Sequence, residues 1–172
     1  MNKTDKDKFE VLFVCTGNTC RSPMAEEILK KMLRDCDVKN LKVRSAGICG
    51  WEDMPASSFA IEVARLRGVD LSRHRSQQLT IKMVQEADLI LAMSQEHINY
   101  VRRIDPKAGD KAHLLKIFPK PHPASNEDQN QGVLFIKDPI GGSLRDYERS
   151  FLEIEKEIKR IFPKLLSLVN KR

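Results

Sequence analysis

The sequence is short of cysteine, of aromatic residues and of long apolar runs, and each shortage excludes a class of protein. Four cysteines, Cys15, Cys20, Cys36 and Cys49, all fall in the first third of the 172 residues. They are too few for the disulfide framework of a small secreted scaffold and are expected as reduced thiols. Aromatic residues make up only 6% of the chain. No apolar stretch approaches the roughly 20 residues of a membrane span, and the first one, Val11 to Val14, is too short for a signal segment. The expectation is a cytoplasmic protein with no membrane partner, in which Met1 to Lys8 form a frayed, disordered tail. Charge of one sign is not concentrated either. The 30 Lys and Arg against 24 Asp and Glu leave a net +6, and the two halves of the chain, divided after Glu86, share that surplus equally. No basic arm for nucleic acid is expected.

What remains is an ordinary globular composition, 41% hydrophobic and 31% charged, of a length that fits a single domain over residues 9–172. Phe9 to Val14 is a compact run of β-formers that stops at Thr16-Gly17-Asn18, as a buried parallel strand does. A helix is expected from Ser22-Pro23, with Met24, Ile28, Leu29, Met32 and Leu33 at helical spacing. Further strands are read at Leu41 to Arg44, Asp88 to Met93 and Ala112 to Phe118, with a helix over Ala56 to Arg67 closed by Gly68. Asp105 to Gly109 and Pro119 to Gly132 read as loops, the second a surface insertion with three prolines. From Leu144 to Leu168 an apolar stripe marks a long helix that Pro163 interrupts. Strands alternating with helices predict an α/β domain with a mainly parallel sheet and a ligand site at the strands' C-terminal ends.

The segment Cys15-Thr16-Gly17-Asn18-Thr19-Cys20-Arg21-Ser22 joins the first strand to the first helix. Backbone N–H groups there can curl into a nest around an oxyanion at a helix N-terminus, and phosphate is the natural guest. Gly17 and Asn18 tolerate the left-handed backbone of a tight nest, and Arg21 can fork two hydrogen bonds onto phosphate oxygens. The nest, the helix dipole and Arg21 all favour negative charge, so a depressed Cys15 thiol and a thiolate nucleophile are expected. Ser22 is expected both to cap the helix and to donate to the Cys15 sulfur.

These residues resemble the low-molecular-weight protein tyrosine phosphatase family, through VCTGNTCRSPMAE, the RSAG at Arg44 to Gly47, the HRSQQL at His74 to Leu79, and Asp138-Pro139. The resemblance runs along nearly the whole chain. It implies a three-layer αβα fold with a four-stranded parallel sheet, of flavodoxin-like architecture, and a two-step reaction through a phosphocysteine. On it, Cys15 is the nucleophile, Arg21 the phosphate clamp and Asp138 the general acid. Thr16, Gly17, Asn18, Thr19, Cys20 and Ser22 form the substrate-binding loop, and Ser45 and His74 help to hold that loop in shape. Chemistry independently calls for an acid such as Asp138, because the leaving group needs a proton. The reaction needs no cofactor, and the four histidines show no metal-ligand spacing with each other or with the cysteines.

Tyrosine-specific members usually carry a bulky aliphatic residue at the position of Thr19 and an aromatic pair after the Asp-Pro. Here Thr19 and Ile140-Gly141-Gly142 stand instead. Together with LAMSQEH at Leu91 to His97 and DPIGGS at Asp138 to Ser143, they are similar to the bacterial protein-arginine-phosphatase branch. A small hydroxyl leaves room for a planar guanidinium, and Asp138 can pair with its cationic edge. Ile140 replaces an aromatic residue often found in that branch, so stacking on the guanidinium falls to Trp51. The expected substrates are phosphorylated proteins, phosphoarginine first and phosphotyrosine second, turned over by a monomer or weak oligomer. An arsenate reductase would need relay cysteines further downstream, and a phosphoprotein-binding module would have no use for Cys15 and Asp138 together. Cys20, five residues after Cys15, suggests a reversible disulfide that shields the nucleophile.

Overall fold

The computed structural model of the chain describes residues 8–120 and 134–171. The expected tail up to residue 7 and most of the expected 119–132 insertion lie outside these residues.

Strand β1 (Phe9–Cys15) is central: it pairs in parallel with β2 (Leu41–Gly47) on one side and β3 (Leu89–Ala92) on the other, and β3 pairs in parallel with β4 (Ala112–Leu114). The order is β2-β1-β3-β4. A strand with neighbours on both edges and helices on both faces has no solvent side, hence its unbroken apolar run. Alternation then sorts its side chains. Val11, Phe13 and Cys15 join a core with helices α1 (Arg21–Asp35), α2 (Ser58–Leu66) and the last helix, α5 (Leu144–Val169). Leu12 and Val14 join a second core with α3 (Ile81–Glu86) and α4 (Gln95–Ile104). The three-layer αβα architecture is as the resemblance implies.

Several boundaries differ for identifiable reasons. The stretch read as a loop at Asp105 to Gly109 is a 3-10 helix, Pro106–Asp110, because the Asp105 carboxylate accepts from the Lys107 N–H at 3.0 Å and Pro106 presets the first turn. The fourth strand is shorter than expected. Arg160 of α5 donates to the carbonyls of Phe118 at 2.6 Å and Leu115 at 2.9 Å, turning the chain out of the sheet. Helix α2 starts at Ser58 rather than Ala56, since the Ser57 N–H is drawn to the Thr19 carbonyl at 2.9 Å. Pro163 does not end α5, whose stripe stays buried on both sides of it, at Ile161 and Leu165. Burial along the stripe outweighs the one hydrogen bond that proline removes. Helices α3 and α4 were not anticipated; α3 is too short for a periodic signal, and its start rests on Thr80, which accepts from the Met83 N–H.

The ends of β1 and β2 meet where β1 passes into the following loop. A Cβ on Gly47 would lie 2.7 Å from the Thr16 carbonyl oxygen and 2.9 Å from the Gly17 carbonyl carbon, both backbone atoms that cannot rotate away. Gly47→Ala is therefore expected to cost about 1–3 kcal/mol in urea unfolding by forcing the loop off β2. Unchanged stability would mean that the two strand ends are not locked together.

Candidate active site

Residues Cys15 to Arg21 turn from the end of β1 into the first turn of α1, at the C-terminal edge of the sheet. Asn18 is fully buried and takes a left-handed backbone, φ 53°, whereas Gly17 does not. The asparagine pays for this strain through its side chain. Its Nδ2 donates to Ser22 Oγ at 2.9 Å and to Ser45 Oγ at 2.8 Å, and its Oδ1 accepts from the Gln77 N–H at 2.9 Å. His74 Nε2 lies 2.7 Å from the Asn18 carbonyl and must be the donor, because a carbonyl only accepts. Burial pushes His74 below its ordinary range, so the donating form is the neutral ring protonated at Nε2.

These bonds constrain the hydroxyls around Asn18. Ser45 Oγ receives from Asn18 and donates to the buried Glu26 carboxylate. Ser22 Oγ likewise receives from Asn18 and lies 2.9 Å from Cys15 Sγ, to which it donates when the sulfur is a thiolate. The Asn18 N–H lies 3.3 Å from the same sulfur. Ser22 is not the helix cap that the sequence suggests: α1 starts two residues earlier, with Cys20 in the capping position and no side-chain cap bond. Its hydroxyl is engaged by Asn18 and the sulfur instead.

Cys15 is buried, and its thiol is pushed up rather than down. Desolvation outweighs the lowering pull of Arg21 and of the hydrogen bonds from Ser22 and Asn18. The expected depression is thus not met in this state of the site, where the Arg21 charge is already answered by the Asp138 carboxylate. Arg21 is held by three groups. Nη1 donates to the Ile136 carbonyl at 3.1 Å, and Nη2 donates to Thr16 Oγ1 at 3.1 Å and to Asp138 Oδ2. Its Nε is buried and has no partner among the described residues.

Cys15 and Arg21 open into a cleft of about 590 Å³, and Thr19, Trp51, Asp138 and Ile140 line it with them. Trp51 and Ile140 stand at its mouth, 83% and 67% exposed. Among the described residues, the N–H groups of Thr16, Gly17, Thr19 and Cys20 donate to no backbone acceptor, and all four residues line the cleft. The arrangement combines a sulfur, a set of backbone donors and a guanidinium whose Nε has no partner among the described residues, which suits a tetrahedral dianion. Cys20 is buried beside it, its sulfur 3.3 Å from Ser57 Oγ and 3.5 Å from the Tyr147 hydroxyl. Cys49 lies on the exposed rim of the same cleft.

Glu26, Gln77 and His97 carry parts of this network and were given no role from sequence. Gln77 and His97 sit inside the quoted motifs HRSQQL and LAMSQEH, and Glu26 closes VCTGNTCRSPMAE, so the signal was present without a contact to give it meaning.

Comparison with known proteins agrees with this geometry. A family model described as low molecular weight phosphotyrosine protein phosphatase matches residues 10–171. A protein-arginine-phosphatase of Geobacillus stearothermophilus is 36% identical over 91% of this chain and 96% of its own length. A low molecular weight protein-tyrosine-phosphatase of Escherichia coli K12 is 41% identical over 68% of this chain and 80% of its own. Among solved structures, a low molecular weight protein tyrosine phosphatase from T. tengcongensis superimposes with a TM-score of 0.80 at 35% identity, covering 91% of this chain and 99% of that one. The arginine phosphatase from Geobacillus stearothermophilus gives 0.79 at 32%, covering 95% and 97%. The chain belongs to the low molecular weight phosphotyrosine protein phosphatase family.

Proposed function

We propose that this phosphatase hydrolyses phosphoarginine in proteins, with Cys15 as nucleophile, Arg21 as phosphate clamp and Asp138 as general acid. The observation that carries the reading is the buried Arg21 Nε, unpartnered among the described residues, on a side chain that lines the same cleft as Cys15. A buried donor left without a partner costs about 1–3 kcal/mol, and an anionic ligand oxygen removes that cost. Phosphoryl oxygens take the guanidinium edge, including the position that Asp138 now occupies, and free the carboxyl for the leaving group. In the first step the released Asp138 carboxylate takes up the Cys15 thiol proton, the Sγ thiolate attacks phosphorus, the P–N bond breaks, and Asp138 gives that proton to the departing nitrogen. In the second, a water oxygen attacks the phosphocysteine, its proton passes to Asp138, and the S–P bond breaks to return the thiolate and release phosphate. The groups named suffice for both steps.

Thr19 supports phosphoarginine over phosphotyrosine, as a short hydroxyl in the cleft leaves width for a planar guanidinium. Trp51, exposed at the mouth, is free to lie over the substrate guanidinium where Ile140 offers no ring. Phosphotyrosine is the second reading, favoured by the apolar mouth that Trp51, Met54 and Ile140 make together.

Phosphoarginine and phosphotyrosine peptides of matched sequence should be compared by kcat/KM; a strong preference for the aryl ester overturns the first reading in favour of the second. Cys15→Ser is expected to abolish turnover, and Asp138→Asn to slow it about 10² to 10⁴-fold. Ser22→Ala withdraws a donor that favours the thiolate, so the Cys15 pKa rises. Inactivation by iodoacetate is then expected to need higher pH than in the wild type, and an unmoved profile would show that Ser22 does not donate to the sulfur.

We also propose that Cys20 protects the nucleophile. Peroxide converts the Cys15 thiolate to a sulfenic acid, and Cys20 displaces water from it to form a disulfide that thiols reduce. Mild peroxide should therefore inactivate reversibly, and Cys20→Ser should make the loss irreversible; equal recovery of both proteins contradicts the role.

A further inference from the structure

His97 lies outside the loop, in the first turn of α4, and is fully buried. Its ring is bonded at both nitrogens. Nδ1 lies 3.1 Å from the Ser94 backbone N–H, which can only donate, so Nδ1 is the acceptor. Nε2 therefore carries the proton and donates to Thr16 Oγ1 at 3.1 Å. The same oxygen accepts from Arg21 Nη2 at 3.1 Å. Both lone pairs of the Thr16 hydroxyl are thus committed, one to a buried ring on the far side of the sheet and the other to the guanidinium.

We propose that His97 and Thr16 are positioning residues for Arg21, a buried brace that sets the orientation of its guanidinium toward the phosphoryl group. The proposal rests on the reading of Arg21 as phosphate clamp. Of the two side-chain oxygens on Nη2, the Asp138 carboxylate is the one that must leave when Asp138 serves the leaving group. Among the described residues, Thr16 then becomes the only remaining side chain on that nitrogen, while Nη1 stays on the Ile136 carbonyl. A brace that had to survive this exchange must not itself change charge. Burial and the adjacent Arg21 charge push His97 down to about 3, so it remains a neutral donor throughout the ordinary pH range. The ring is in turn fixed by the Ser94–His97 capping box, which ties the guanidinium to the rigid start of α4 rather than to a mobile loop.

The test is a double-mutant cycle on kcat/KM, using a phosphoarginine peptide and an aryl phosphate, with thermal unfolding of each variant. Thr16→Val is expected to lose about 10-fold on either substrate, the scale of a hydrogen bond to a charged group, and Thr16→Ser to recover most of it. His97→Phe should lose a similar factor. In an Arg21→Lys background, which removes the forked head, Thr16→Val should cause no further loss. A full 10-fold loss there would overturn the brace while leaving the clamp intact. Wild-type turnover by Arg21→Lys itself would overturn the clamp and the brace together. If His97→Phe does not fold, the two Thr16 variants decide the matter alone.

Discussion

The site depends on one buried asparagine. Asn18 sits in a backbone conformation that side chains other than glycine's seldom adopt, and its polar groups tie the loop to four different places: Ser22 in α1, Ser45 in β2, and His74 and Gln77 in the segment before α3. None of these bonds touches the sulfur directly. Their effect is to engage the side-chain amide and the carbonyl of Asn18 and so to constrain the hydroxyls around it. Ser22, with one lone pair taken by Asn18, thereby keeps its proton available for a Cys15 thiolate. An isosteric change at Asn18 would leave the loop's length intact while scrambling these bonds, which distinguishes orientation from mere packing.

A second tension complements the first. The loop is saturated with partners on its outer side, and on its inner side it is short of them: among the described residues, Arg21 Nε is buried without an acceptor and the N–H groups of Thr16, Gly17, Thr19 and Cys20 reach no backbone acceptor. An oxyanion in the cleft answers that shortage, since it accepts from the guanidinium and the backbone donors together. Asp138 partly fills that place in the present state through its ion pair with Arg21. Binding of phosphate and release of the carboxyl for acid work are in this way opposite sides of one exchange. His97 and Thr16 lie behind it, on the face of the sheet that carries α3 and α4.

Much of this was legible in the sequence because it is local. Phe9–Cys15 announces a buried strand by composition, Asn18 is the loop residue able to take a left-handed turn, and Cys15 and Arg21 are separated by one loop closing on a helix. The parallel sheet and the family followed from motifs in order along the chain. What was not legible is set by contacts between distant segments. The Ser57 N–H on the Thr19 carbonyl delays α2, Arg160 shortens β4 by claiming two carbonyls, and burial of the stripe carries α5 through Pro163. The Cys15 thiol is the clearest case. Counting favourable neighbours predicts a lowered pKa, but the cost of desolvation appears only once the loop is seen packed beneath α1 and β2. His97 was missed for the same reason, being linked to Thr16 across 81 positions of sequence.

The account stands most directly on whether phosphorus passes through Cys15. Rapid mixing of the protein with a phosphoarginine peptide, acid quench and mass analysis of the cleavage products measures this. A phosphoryl group on the fragment containing Cys15, formed and lost at rates compatible with turnover, is the predicted result. Turnover with no phosphorylated Cys15 at any quench time would contradict it.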